Sequence, residues 1–222
     1  MTTRVIAFDV NETLLDLGPL DGVFEELLGD ASLRAQWFAQ MLQVAFVGAI
    51  TDRYVDFTTA QRAALDMVAQ RREKTLPANA ADRVAATMRT LPAHPEVADA
   101  LARLRAGNHQ LAALSNSPAD VEQAQLAHAG LTDRFDAILS AETVRALKPR
   151  REPYELVART FGVATGEVTL VAAHAWDLAG ALAAGCRAAF VARPGMPRNP
   201  IDPEPDIVAA DLGEIADRML AA

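Results

Sequence analysis

The stretch Val5-Ile6-Ala7-Phe8-Asp9-Val10-Asn11-Glu12-Thr13-Leu14-Leu15-Asp16 decides how the rest of the chain is read. Four apolar residues run without interruption and stop at an aspartate, the pattern of a strand buried on both faces of a parallel sheet. Four later runs share that character: Leu111 to Leu114, Ala137 to Leu139, Val168 to Ala173 and Ala188 to Ala192. Helical patterns lie between them. One starts at Ser117-Pro118, with Ser117 expected as N-cap, Pro118 at the first helical position and Asp120 in the acidic capping place. Another runs from Pro95 with Val97, Leu101 and Leu104 on one face, and a third from Pro153 with Leu156, Val157 and Phe161. Alternation of strand and helix predicts an α/β fold with a mainly parallel sheet.

The segment after the first strand differs. From about Leu20 to Leu91 only amphipathic helical patterns occur, such as Phe24, Leu27 and Leu28, then Trp37, Met41 and Ala45. It reads as an all-helical insertion, residues 17–94, in a core of residues 1–16 and 95–222. Pro194 to Pro205 holds five of the chain's twelve prolines, which makes it a loop. A short edge strand at Asp206 to Ala209 and a closing helix at Leu212 to Leu220 complete the pattern.

Composition narrows the function classes. The chain has 222 residues with 21 Lys+Arg against 29 Asp+Glu, a net charge of −8, so it lacks the basic excess of nucleic-acid binders. Cys186 is the single cysteine and forms neither a disulfide nor a zinc site by itself; it reads as an inert buried thiol. Met1-Thr2-Thr3-Arg4 shows no signal-peptide pattern, and Val44 to Ile50 is too short to span a bilayer. A cytoplasmic protein with no membrane partner is expected. Dinucleotide, P-loop, serine-hydrolase and zinc-protease motifs do not occur.

Ligands of open parallel sheets bind beyond the carboxyl ends of the strands. The residues at those places are polar: Asp9, Asn11, Glu12 and Thr13 after the first run, then Ser115, Asn116 and Ser117, then Glu142 and Lys148, then His174 and Asp177. Each alone suits ordinary turn and cap chemistry. His94, His109 and His128 fall on helices or turns and read as solvated groups, whereas His174 follows a strand.

These segments carry a resemblance. Phe8 to Asp16 is similar to the first motif of the haloacid dehalogenase superfamily, in which the aspartate after the first strand is a covalent nucleophile. Leu114-Ser115-Asn116 resembles the second motif, Lys148-Pro149 the third and Asp177-Leu178-Ala179-Gly180-Ala181 the fourth. Within that superfamily, Lys148-Pro149 with Tyr154, and Ala175-Trp176-Asp177, resemble the L-2-haloacid dehalogenase (type II) branch. The resemblance implies a Rossmann-like core with helices on both faces and a helical cap. It also implies hydrolysis of small (S)-2-haloacids to (R)-2-hydroxyacids through an aspartyl ester, with no metal and no cofactor. On that basis Asp9, Lys148 and Asp177 are the expected catalytic residues. Asn11, Thr13, Phe38, Ser115, Asn116, Tyr154, His174 and Trp176 are expected to bind the small anionic organic-acid substrate, and a homodimer fits the family.

Three positions depart from the branch's pattern. Phe38 stands where the dehalogenases carry a halide-receiving arginine; Arg34 and Arg53 lie nearby but read as solvated helix residues. Ala172-Ala173-His174 replaces Ser-Ser-Asn, so His174 is expected to serve as a leaving-group donor or to assist the water. Asn11 replaces an aromatic residue. Alternatives stay open: a magnesium-dependent phosphatase of the same superfamily, against which Asn11 and Ala172 stand in place of carboxylates, and a catalytically weak member or phosphoacceptor-type binding module.

Overall fold

A computed structural model describes residues 5–221. The reading of Met1-Thr2-Thr3-Arg4 therefore lies outside the described residues, as does the last residue of the 95–222 core. The apolar runs form six strands: β1 (Val5–Phe8), β2 (Gln110–Ser115), β3 (Ala137–Ser140), β4 (Val168–Ala172), β5 (Arg187–Val191) and β6 (Ile207–Ala209). All pair in parallel, in the order β3-β2-β1-β4-β5-β6. β1 lies at the centre, Val5 in register with Gln110 on one side and Val168 on the other.

Alternation along β1 feeds two cores. Ile6 and Phe8 face a layer that includes Leu101 and Leu104 of α5 (Val97–Ala106) and Leu212 and Ile215 of α9 (Leu212–Leu220). Val5 and Ala7 face Tyr154 and Val157 of α7 (Arg151–Phe161) and Leu178 and Ala181 of α8 (Ala175–Ala183). Helices thus cover both faces, and every residue of β1 is buried, which explains an uninterrupted apolar run in place of strict alternation. The sheet is Rossmann-like. From β1 the chain moves outward through β2 to β3, then returns to the other flank with β4, so the topological switch point lies between β1 and β4.

Between β1 and β2 the chain builds a helical cap. It comprises α1 (Pro19–Leu28), α2 (Leu33–Ile50), α3 (Phe57–Arg71) and α4 (Ala80–Met88), before α5 returns beside α9. Trp37 anchors it: fully buried, it lies 5.3 Å from Phe24 and donates its indole N–H to Gln61 O at 3.0 Å. The two crossings from core to cap are laced together by Asp16 N to Pro92 O at 2.8 Å and His94 N to Leu14 O at 2.9 Å. No helix among the described residues is long and apolar enough to cross a membrane.

Two local expectations change. Helix α6 (Ala119–His128) is not capped by Ser117: Pro118 occupies the N-cap, and Glu142 Oε2 accepts from Ala119 N at 3.3 Å. The hydroxyl of Ser117 instead accepts from Asn11 Nδ2 at 3.3 Å, because the loop after β1 packs against it. His94 and His109 are half-buried at the core edge, and only His128 is exposed as expected. Cys186 is buried, and desolvation pushes its thiol up to about 11, which keeps it inert.

Helix α8 approaches the α7 side of the sheet closely at one glycine. A Cβ on Gly180 would lie 2.5 Å from the Tyr154 hydroxyl and 2.6 Å from Pro149 Cβ. Gly180→Ala is therefore expected to destabilise the fold by roughly 1–3 kcal/mol through overpacking. Exposed Gly22 in α1 has open space around it, so Gly22→Ala should stabilise by about 0.5–1 kcal/mol. Urea melts of the two variants check both signs.

Candidate active site

At the switch point the ends of β1 and β4 bring Asp9 and His174 together, and the ends of β2 and β3 close the site from one side. Asp9 is anchored through its backbone, its N–H donating to Val171 O at 3.0 Å. Its carboxylate is almost wholly buried. Oδ1 accepts from Lys148 Nζ at 2.8 Å, while Oδ2 accepts from Thr13 Oγ1 at 2.7 Å and from His174 Nδ1 at 3.0 Å. Ala173 N–H donates to Thr13 Oγ1 at 3.0 Å, which directs the Thr13 hydroxyl proton at Asp9. Burial opposes ionisation of Asp9, but Lys148 and His174 together hold its carboxyl well below the usual range.

Lys148 is 1 % exposed, and all three of its ammonium protons are committed. Besides Asp9 they go to Leu114 O at 2.8 Å and to Asp177 Oδ2 at 2.6 Å. Burial works against its charge, yet the two carboxylates push its affinity for the proton upward. Asp177 is fully buried, and desolvation raises it above the usual carboxylate range against the pull of Lys148. Its other oxygen, Oδ1, accepts from Tyr154 OH at 2.6 Å. Tyr154 therefore lies behind Asp177 and fixes its orientation. Asn116 is likewise a clamp: Oδ1 accepts from Lys148 N at 2.8 Å and Nδ2 donates to Lys148 O at 3.1 Å. Ser115 Oγ accepts from Ser117 N at 3.0 Å, and its hydroxyl proton has no acceptor among the described residues.

His174 bridges two carboxylates, with Nε2 2.9 Å from Glu12 Oε2. Both acceptors are carboxylates, so the ring donates from both nitrogens as imidazolium. Despite burial, Asp9 and Glu12 raise it to about 9. The cap covers this cation. Phe38 of α2 stacks on the His174 ring at 5.6 Å with planes 13° apart, and the Trp176 ring is tilted against the same imidazole at 5.3 Å. Phe46, also on α2, meets Trp176 edge-on at 5.4 Å. Trp176 Nε1 is buried with no acceptor among the described residues.

Of the residues singled out in the sequence, Asp9, Thr13, Lys148, Asp177, His174, Phe38 and Trp176 form one contiguous cluster, with Ser115 beside it. Asn11 turns away: its amide binds Ser117 and accepts from Gln125 Nε2 at 2.9 Å. Arg34 is not a solvated helix residue, since it pairs with Asp21 at 2.5 Å and with Glu12 at 3.2 Å; Arg53 is exposed on the cap. Glu12, placed at the strand end by the sequence but given no role there, and Arg193, which the sequence reading did not name, belong to the cluster's support. Arg193 Nη2 donates to the Thr13 carbonyl at 2.8 Å and its Nη1 pairs with Glu96 at 2.7 Å. It stands just beyond β5, where the strand-end rule that found the other residues points equally well. Among the described residues no cluster of three or more His, Cys, Asp or Glu side chains has metal-binding geometry.

Comparisons with known proteins agree with this architecture. The family model of haloacid dehalogenase-like hydrolases matches residues 3–185. The (S)-2-haloacid dehalogenase of Xanthobacter autotrophicus is 34% identical over 197 residues, covering 86% of this chain and 75% of that protein. The (S)-2-haloacid dehalogenase of Pseudomonas sp. (strain YL) is 28% identical over 214 residues, 96% of this chain and 92% of its own. Among solved structures, the L-2-haloacid dehalogenase of Xanthobacter autotrophicus superposes with a TM-score of 0.90 at 28% identity, covering 98% of each chain. That enzyme has also been solved with chloropropionic acid covalently bound. The chain belongs to the haloacid dehalogenase-like hydrolases and, within them, is L-2-haloacid dehalogenase-like.

Proposed function

We propose that the protein hydrolyses small (S)-2-haloacids to (R)-2-hydroxyacids through a covalent ester on Asp9, without metal or organic cofactor. The observation that carries this reading is the state of Asp9: a buried, ionised carboxylate at the switch point with one oxygen still able to attack. Each carboxylate oxygen offers two lone pairs. Those of Oδ2 are taken by Thr13 and His174, whereas Oδ1 accepts only from Lys148 among the described residues. Oδ1 is the nucleophile. Its free pair attacks Cα of the haloacid from the face opposite the halogen, the C–halogen bond breaks with its electrons, and the halide leaves with inversion.

The protons of Lys148 are already committed to Asp9, Asp177 and the Leu114 carbonyl, so substrate carboxylate binding rests on neutral donors, first among them the Ser115 hydroxyl. The aromatic lid of Phe38, Phe46 and Trp176 excludes water, which strengthens a carboxylate nucleophile otherwise weakened by hydration. With Phe38 in place of a cation, the unpartnered indole N–H of Trp176 is the donor available to the departing halide. Asp177, raised by burial, takes a proton from the water that attacks the ester. We further assign residues 17–94 the role of the cap, which contributes Phe38 and Phe46 to the lid.

The phosphatase alternative needs carboxylate oxygens at the places of Asn11 and Ala172. The Asn11 amide is bound to Ser117 and Gln125, and Ala172 has no ligating atom.

Halide release from each enantiomer of 2-chloropropionate in EDTA tests the proposal. Release from the (S) form alone, abolished by Asp9→Asn in a folded protein, is expected; release that survives Asp9→Asn, or phosphate ester cleavage with magnesium in its place, overturns it. Trp176→Phe should slow halide release roughly 10- to 100-fold, the worth of one hydrogen bond to a charged leaving group, with circular dichroism unchanged.

A further inference from the structure

Neither ring nitrogen of His174 is free to meet a leaving halide or an attacking water, because Nδ1 is bound to Asp9 Oδ2 and Nε2 to Glu12 Oε2. What His174 does touch is a reacting atom. We propose that Thr13 and His174 form the oxyanion hole in which the Asp9 ester is hydrolysed, and that Glu12 is the positioning residue that holds His174 in it. The inference rests on the covalent-ester reading above.

Follow the two oxygens of Asp9 through the reaction. Once Oδ1 has bonded to the substrate carbon, Oδ2 is the carbonyl oxygen of the ester. Water then attacks Cγ and gives up a proton, and the C=O π pair moves onto Oδ2, which becomes an alkoxide. The tetrahedral intermediate collapses by reforming Cγ=Oδ2 and breaking Cγ–Oδ1, whose electrons leave on Oδ1; Lys148, 2.8 Å from Oδ1, gives it a proton to make the product hydroxyl and is reprotonated by Asp177, which holds the proton taken from the water. The water oxygen takes the place of Oδ1, and its remaining proton is released as Asp9 ionises again. During this step the negative charge develops on Oδ2, where two donors are already in place: Thr13 Oγ1 at 2.7 Å, its direction fixed by Ala173 N–H, and His174 Nδ1 at 3.0 Å. Preorganised donors at the site of developing charge are the usual source of such stabilisation.

Glu12 answers a problem in that arrangement. While Asp9 is a carboxylate, His174 lies between two anions; when Asp9 is esterified, that charge is gone and a buried imidazolium needs another partner to stay protonated. Glu12 is that partner, and it does not change during the reaction. Arg34 Nη1 holds its other oxygen at 3.2 Å and is itself held by Asp21, so the cap's first two helices brace the arm. The remaining charged groups around the ring act through Asp9: Lys148, and beyond it Asp177 on α8.

The backbone supplies an independent sign. Five described non-glycine residues have positive φ, and Glu12 at 62° is the buried one; Asp52, Glu73, Asn108 and Arg145 are exposed. A left-handed conformation costs a residue with a Cβ roughly 1–2 kcal/mol. The turn keeps that conformation at Glu12 inside the site, where its side chain is aimed at His174.

Single-turnover kinetics with (S)-2-chloropropionate, following halide and intact protein mass together, separate the two half-reactions. For His174→Leu we expect a halide burst near one per chain, ester hydrolysis slowed about 100-fold, and accumulation of the covalent adduct. Glu12→Gln, which keeps the shape of the side chain, should slow hydrolysis about tenfold with the same accumulation, and carries the test should His174→Leu fail to fold. His174→Asn, which restores a neutral N–H donor, should recover part of the lost rate. If halide release slows as much as hydrolysis and no adduct appears, or if both steps are unchanged in folded variants, the inference is overturned while the covalent reading stands. A wild-type protein that releases no halide overturns both.

Discussion

Two carboxylates at neighbouring strand ends cannot share a dry cleft unless a cation lies between them, and the arrangement of this site follows from Lys148 filling that place. Asp9 and Asp177 both reach its ammonium, at 2.8 and 2.6 Å, with the Leu114 carbonyl as third acceptor. Desolvation of three charges is costly, and such a cluster holds together only when its members are closely paired and hydrogen-bonded. Removing one member of a buried pair typically costs about 3–5 kcal/mol. That requirement explains the supporting residues. Asn116 grips the backbone of Lys148 on both sides, Tyr154 fills the remaining oxygen of Asp177, and the absence of a side chain at Gly180 leaves Tyr154 room to do so.

A second charge chain runs the other way, from Asp9 through His174 and Glu12 to Arg34 and Asp21. The first chain belongs to the sheet; the second reaches the cap. Asp9 is the only residue in both. Its two oxygens therefore have different environments, one facing a lysine with a lone pair to spare and the other saturated by Thr13 and His174. A carboxylate made unsymmetrical in this way suits a reaction in which one oxygen attacks carbon and the other later carries charge. The missing cation at Phe38 is consistent with the same economy, because its ring lies flat on an imidazolium already present.

Much of this was legible in the sequence because it is local. An apolar run ending in a polar residue marks a buried strand and its carboxyl end, and that rule places Asp9, Ser115 and His174 from short windows alone. Spacing along α7 and α5 gives their buried faces for the same reason. What escaped depends on contacts distant in sequence. Ser117 has the composition of an N-cap, yet the loop after β1 takes its hydroxyl and Glu142 supplies the cap. Arg34 has the composition of a solvated helix residue until the fold sets Glu12 opposite it. Tyr154 and Asn116 carry motif positions, but that both are spent on holding Asp177 and Lys148 appears only once β2, α7 and α8 are assembled.

A covalent ester on Asp9 that is opened at Cγ leaves an isotopic trace. Single-turnover hydrolysis of (S)-2-chloropropionate in ¹⁸O-labelled water, with excess protein, tests it most directly. Label is expected in the peptide that carries Asp9 and none in the 2-hydroxyacid; label in the 2-hydroxyacid with an unlabelled Asp9 would rule the ester out, since water would then have attacked the substrate carbon itself.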